Sequence, residues 1–200
     1  MIFIVLTVFV LVAAYLIGSL PFGYLLTRAL NKADIRNYGS GNIGATNVLR
    51  VMGWKAALPV FILDMLKGVA AVLLAKAVID LPAVYLAAGF LALIGHSYPV
   101  FLGFKGGKAA ATGIGVLVAL SGWAALSLVA IAILVVAITR YVSLGSILGA
   151  LSVPLFFWVF GYGLPYIIFG LATAALIAGR HHENIGRLFR GTESKLGSKT

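Results

Sequence analysis

Cysteine is absent from the 200 residues, which excludes disulfides, thiolate metal sites, thioester intermediates and a thiol nucleophile. Acidic side chains are nearly as rare. Five Asp and Glu stand against 15 Lys and Arg, a net charge of +10, so a polar ligand of this chain is expected to be an anion. Charge of either sign is scarce, at 10% of residues, while 62% are hydrophobic and mean hydropathy is +1.10. A water-soluble globule is excluded. No cation precedes the first apolar run, which ends before Arg28, so that run does not read as a cleavable signal peptide and should stay in the membrane.

What the chain does have is apolar runs: Ile2 to Thr27, Trp54 to Ile79, Pro82 to Leu102, Ala109 to Leu120, Gly122 to Thr139, Tyr141 to Phe160 and Gly163 to Gly179. Backbone in hydrocarbon must bond internally, so these are expected to be helices. The run from Ala109 to Leu120 is short for a span. Fused to its successor it would give a helix of roughly 46 Å, too long for a core of about 30 Å without strong tilt. Charge decides the matter. With a break at Ser121–Gly122 and the N-terminus outside, Arg28, Lys32, Arg36, Arg50, Lys55, Lys105, Lys108, Arg140, Arg180, Arg187, Arg190, Lys195 and Lys199 share one face, leaving only Lys67 and Lys76 over. Fusion would send Arg140 and the C-terminal cations to the other side, against the positive-inside rule. The expected fold is an all-α polytopic membrane protein with seven transmembrane helices, some short, an outside N-terminus and a cytoplasmic C-terminus. It is expected as a single domain over 1–200, with polar cytoplasmic segments at 28–53, 103–108, 140–143 and 180–200. The short run is tolerable if it is packed inside protein.

Three polar segments carry the candidate chemistry. In the first, Asn37 to Arg50 reads NYGSGNIGATNVLR and sets Gly39, Gly41 and Gly44 in a GxGxxG spacing. A dinucleotide fold is excluded because no strand precedes it. The glycines still let backbone approach an anion, and Ser40, Asn42, Thr46 and Asn47 add neutral donors beside Arg50. In the second, Lys105 and Lys108 surround Gly106 and Gly107 at the start of the short helix. Ala109 stands where a Walker A loop needs a hydroxyl. What remains is a helix N-terminus with two ammonium groups, suited to phosphate or acyl-phosphate oxygens. In the third, RHHENIGRLFRGTE from Arg180 to Glu193, continued helix would put His181 and Asn184 on one face, with Arg187 a turn beyond Asn184.

Other readings of the polar residues are bland. Asp64 and Lys67, three apart near mid-membrane, are expected to neutralise each other as a structural pair rather than to relay protons. His96 is expected to be a hydrogen-bonded interior residue. No metal is expected, because the HExxH arrangement is missing and no third ligand is evident. A His-x4-Asp acyltransferase relay is also missing, since Phe101, Gly186 and Arg187 occupy the positions that would need Asp. An already activated acyl donor would ease that lack.

Together, SGNIGATN, DMLKG, GHSYPVFLGFKGGKAAAT, YVSL and RHHENIGRLFRGTE, in this order and spacing, resemble the bacterial membrane acyl-phosphate:glycerol-3-phosphate acyltransferases of the PlsY type along nearly the whole chain. The pattern usually has Val where Ala110 stands, a small apolar change. The resemblance implies transfer of a fatty acyl group from acyl phosphate to the 1-hydroxyl of glycerol 3-phosphate. The products would be phosphate and 1-acylglycerol 3-phosphate (lysophosphatidic acid), without acyl-CoA or acyl carrier protein as direct donor. It further implies that Ser40, Arg50, His181 and Asn184 serve activity. Lys105, Gly106, Gly107 and Lys108 would bind glycerol 3-phosphate, and Glu193 would serve integrity. Gly41, Asn42, Thr46, Asn47, Ser143 and Arg187 complete the expected substrate contacts.

On this reading no cofactor is needed. The partners are glycerol 3-phosphate, acyl phosphate and membrane lipids, not nucleic acid, and a monomer suffices. The three segments are expected to meet at the cytoplasmic face of the cell membrane, where Arg50 and Lys105 neutralise phosphates and glycine amides bond developing oxyanions. Which loop holds which phosphate is open. A substrate phosphate is expected to take the proton of the attacking hydroxyl, with His181 orienting. The competing reading, a transporter of an organic phosphate, predicts a polar path that the nearly bare outer turns do not provide.

Overall fold

The computed structural model describes residues 1–31 and 34–197, all of whose regular elements are helical. Lys32 and Lys199, counted above among the cytoplasmic cations, lie outside the described residues. The chain forms two compact units, Met1–Leu120 and Ser121–Thr200.

The first unit contains α1 (Ile2–Ser19), α2 (Phe22–Asn31), α3 (Ala45–Met52), α4 (Trp54–Val78), α5 (Pro82–Ser97) and α6 (Ala110–Leu120). The expected unbroken helix from Ile2 to Thr27 is in fact two, parted at Leu20–Pro21. Pro21 has no N–H to give to Ile17, and the Leu20 amide takes that carbonyl instead at 3.2 Å. Helices approach closely where side chains vanish. A Cβ on Gly18 would lie 2.2 Å from the Ala92 carbonyl oxygen, and one on Gly115 would lie 1.9 Å from that of Met65. These contacts fix α1 on α5 and α4 on α6 through backbone. The 11-residue α6 is thus packed on α4 along one side, with Thr112, Gly113, Gly115, Val116, Leu117 and Leu120 buried, while Val118 is 49% exposed.

Lys67 and Lys76, which the charge count left over, have local partners. The Lys67 ammonium donates to Leu20 O at 2.7 Å, at the end of α1, and that of Lys76 donates to Ala119 O at 2.7 Å, in the last turn of α6. Carbonyls left open by a helix end in hydrocarbon need such donors. Lys67 also pairs with Asp64 at 2.8 Å, both side chains 2% exposed, so the expected intrahelical neutralisation is present.

The second unit contains α7 (Gly122–Thr139), α8 (Val142–Val159), α9 (Leu164–Arg180) and α10 (His182–Phe189). The break at Ser121 is where the sequence put it. The residue is extended, at φ −158° and ψ 104°, and its hydroxyl accepts from the Ala124 amide, capping α7. The core of this unit centres on Phe157, fully buried, with Tyr162, Tyr166 and Phe169 edge-on at 5.3, 5.5 and 6.3 Å. The tail is tied down at Arg140, whose carbonyl accepts from the Leu196 amide at 2.7 Å and whose guanidinium donates to Leu196 O at 2.8 Å.

Among the described residues, five helical stretches are long and apolar enough to cross a membrane. The sixth is α9 with α10, if that pair, bent by 63°, counts as one. α6 is apolar but shorter.

Candidate functional site

Loop 1 joins α2 to α3 through a 3-10 turn at Ile35–Asn37. Gly39 and Gly41 take left-handed φ of 59° and 69°, which explains two of the three spaced glycines as turn formers. The turn closes on Asn47, which is 2% exposed. Its amide oxygen accepts from the Ser40 N–H at 2.8 Å, and its amide nitrogen donates to Asn42 O at 2.8 Å and Tyr38 O at 3.0 Å. Both amide hydrogens are therefore spent on the loop itself. Asn47, expected among the substrate contacts, thus fastens loop 1 in this structure. Asn42 also works locally, its side-chain oxygen accepting from the Gly44 amide at 2.8 Å. What this leaves outward is an exposed Ser40, an exposed Thr46 and a half-buried Arg50, the latter two one turn apart on α3.

Loop 2 runs from α5 to α6. Gly103, Phe104 and Ala109 have φ of 60°, 63° and 57°, so two residues with side chains sit in the left-handed region around Lys105 to Lys108. Such conformations cost on the order of 1–3 kcal/mol each and persist only where neighbours enforce them. Between them the Gly107 amide donates to the carbonyl of His96, 3% exposed, at 3.0 Å, and outside them the Phe104 amide donates to Pro99 O at 2.9 Å. Lys105 is exposed and Lys108 half-buried. Leu102, at the start of loop 2, packs on the cluster of Ile35, Ile43, Val48, Ala57 and Val60 that underlies loop 1. Both loops therefore occupy one end of the first unit, with Arg50 and Lys105 among their cations.

In the second unit α9 bends at His181 into α10. His181 is 4% exposed and Asn184 8%. The His181 Nδ1 faces Ile177 O at 2.8 Å, so the neutral ring carries its proton there and Nε2 is the accepting nitrogen. Glu193 gathers the rest. Ser143 Oγ and Asn184 Nδ2 donate to its Oε1 at 2.7 and 2.6 Å, and Arg187 Nε donates to Oε2 at 2.7 Å. Burial alone would raise the pKa of this carboxyl, but the three donors outweigh it and hold the group below its ordinary value. The integrity role expected of Glu193 fits this geometry. Ser143, expected to bind substrate, gives its hydroxyl proton to Glu193 in this structure.

The sequence offered no signal for the Ser143–Glu193 contact, 50 residues apart, nor for the backbone strain at Phe104 and Ala109. Among the described residues no three His, Asp or Glu side chains group as metal ligands.

The family model described as glycerol-3-phosphate acyltransferase matches residues 8–191, across both units. A glycerol-3-phosphate acyltransferase of Thermoanaerobacter pseudethanolicus is 50% identical over 94% of this chain and 95% of that protein. One from Brucella anthropi is 46% identical over 94% and 92%. The crystal structure of PlsY (YgiH), an integral membrane glycerol 3-phosphate acyltransferase, in its glycerol 3-phosphate form, matches with a TM-score of 0.91 at 42% identity over 96% of each chain. Its lysophosphatidic acid form matches with 0.89 at 41% identity, over 96% of this chain and 95% of that one.

Proposed function

The chain belongs to the glycerol-3-phosphate acyltransferase family, and from that membership we propose how this integral membrane acyltransferase works and from which donor. The acceptor is glycerol 3-phosphate and the product lysophosphatidic acid, as the solved relatives' two forms support. The donor is an acyl phosphate. The 1-hydroxyl of the acceptor attacks the acyl carbon, the bond from that carbon to the phosphate oxygen breaks, and the hydroxyl proton leaves with the phosphate. The observation that carries this reading is the gathering of Arg50 and Lys105 at one end of the first unit, on loops whose exposed residues present donors. Transfer between two phosphorylated reactants needs cations at both phosphates and fixed donors for the developing charge, more than it needs a base.

Ser40, Thr46 and Arg50 handle one phosphate and Lys105 with Lys108 the other. Gly41, Gly106 and Gly107 permit close backbone approach. His181 accepts from the attacking hydroxyl at Nε2 and orients it, while Asn184 and Arg187, steadied by Glu193, line the acceptor. Asn42 and Asn47 shape loop 1, and Asp64 with Lys67 are structural. The chain acts as one domain of seven spans in the cell membrane, with the N-terminus outside. Its polar segments and C-terminus face the cytoplasm. α6 is the short seventh span, tolerated because one side of it packs on α4.

Purified protein in detergent, given palmitoyl phosphate and labelled glycerol 3-phosphate without metal or CoA, should release phosphate and acylated product one for one. Product formed only from acyl-CoA or an acyl carrier protein, or none at all, would overturn the donor assignment. In the same assay Lys105→Ala should raise KM for a phosphorylated substrate about 10- to 100-fold, the effect of losing a charge-assisted bond. Unchanged KM for both substrates would remove Lys105 from the site.

A further inference from the structure

The ion pair expected inside α4 has a third member and two addresses. Asp64 Oδ1 lies 2.8 Å from Lys67 Nζ and 3.6 Å from His96 Nδ1, and all three side chains are almost wholly buried. Lys67 continues to Leu20 O, at the corner where α1 gives way to α2. Two residues past Pro21, Gly23 is so close to Ile43 O of loop 1 that a Cβ there would overlap it. On the other side His96 carries loop 2. A Cβ on Gly106 would lie 2.2 Å from His96 O, and one on Gly107 would lie 2.0 Å from His96 Nε2.

Charge neutralisation within α4 requires only Asp64 and Lys67. It does not require a histidine wedged between that carboxylate and the one peptide stretch that holds the lysine-flanked glycines. Nor does it account for the close fit of Gly106 and Gly107 against the carbonyl and ring of that histidine. A rigid buried support for groups that must be placed within a fraction of an ångström does.

We propose that Lys67, Asp64 and His96 are positioning residues, a buried strut that sets glycine loop 1 and glycine loop 2 in register with each other. The strut runs from Ile43 through Gly23 and the Leu20 corner to Lys67, Asp64 and His96, and ends on Gly107. None of its three side chains takes part in chemistry. The inference rests on the acyltransferase reading only for its kinetic readout.

The geometry sets a size-swap test. Gly107→Ala puts a methyl on the His96 ring and should lower kcat/KM at least 100-fold, chiefly through KM. His96→Asn keeps a nitrogen at the Nδ1 position facing Asp64 and removes the far side of the ring, so alone it should cost less than tenfold. Combined with Gly107→Ala it should recover at least tenfold of the lost activity. His96→Ala, which lacks both features, should raise KM at least tenfold and speed hydrogen exchange at the amides of residues 103–109.

Three results would overturn the strut: an active Gly107→Ala enzyme, a double variant no better than Gly107→Ala alone, or a His96→Ala protein with lowered melting temperature but unchanged KM and exchange. If His96→Asn is as damaged as His96→Ala in kcat alone, with exchange unaltered, the histidine moves protons and the positioning role is wrong. Wild-type protein that makes no product points to failure of the functional reading. The exchange measurement still decides the strut in that case.

Discussion

Asn47→Asp should reduce acyl transfer by about 1000-fold or more while leaving the helical content of the protein intact. The amide nitrogen donates to Asn42 O and Tyr38 O, and a carboxylate at that position has nothing to donate. Asn42 O then loses its donor, at about 1–3 kcal/mol, Tyr38 O keeps only the Gly41 amide, and a carboxylate at a position 2% exposed adds its own desolvation. About 4 kcal/mol of lost loop geometry corresponds to roughly three decades in rate. The loss falls on loop 1, because α3 alone is too short to hold the turn, whereas α1 on α5 and α4 on α6 are held by their own glycine contacts. kcat/KM together with far-UV circular dichroism measures both halves of the expectation. An Asn47→Asp variant with near-normal activity would mean that Ser40 and Arg50 are placed by something other than the Asn47 amide.

Glu193→Gln should destabilise the protein and change how stability responds to acid. The carboxyl collects Ser143 from the start of α8 and Asn184 and Arg187 from α10, so one side chain closes the end of the second unit. Its side chain is only 7% exposed. Because its pKa in the folded protein lies below the ordinary 4.5, the carboxylate contributes stability in full above that value. The contribution is lost as pH falls through the depressed folded value. Loss of the charge-assisted bonds costs about 3 kcal/mol, a drop in Tm of roughly 6–12 °C for a chain of this size. At neutral pH the Gln variant should therefore melt below wild type by that amount, and the difference should close as the pH falls through the lowered value of the folded carboxyl. Equal melting at neutral pH, or a gap that widens on acidification, would contradict the role.

The bilayer made much of the fold legible. Trp54 to Ile79 and Tyr141 to Phe160 became α4 and α8 to within a residue or two, because apolar backbone in hydrocarbon has one local solution. Ser121 was readable as a break from charge sidedness, a constraint on the whole chain rather than on the residue. The Leu20–Pro21 corner was not readable, since one proline inside a long apolar run barely alters hydropathy while it removes one backbone donor. α3 was hidden for the converse reason. GATN reads as loop, and only the Asn47 contacts show that helix begins there. At the site, residue types at each position were recovered through resemblance to the family. Their division of labour was not, because it depends on where an amide or hydroxyl has already spent its protons. A string of letters gives Asn47 and Ser143 as donors but not their intramolecular bonds to Ser40 and Glu193. His96 belongs here too, an interior histidine whose position against Gly107 no spacing rule could have given.

The proposed topology has loop 1, loop 2 and α10 each facing the cytoplasm. The cysteine-free chain allows a direct check with single cysteines at Tyr38, Phe104 and Phe189, which are 51%, 59% and 89% exposed. Labelling with a membrane-impermeant maleimide should mark all three in inside-out vesicles and none in intact spheroplasts. A cysteine at any of the three that reacts in spheroplasts and is shielded in inside-out vesicles would put that segment on the far side of the lipid and contradict the account.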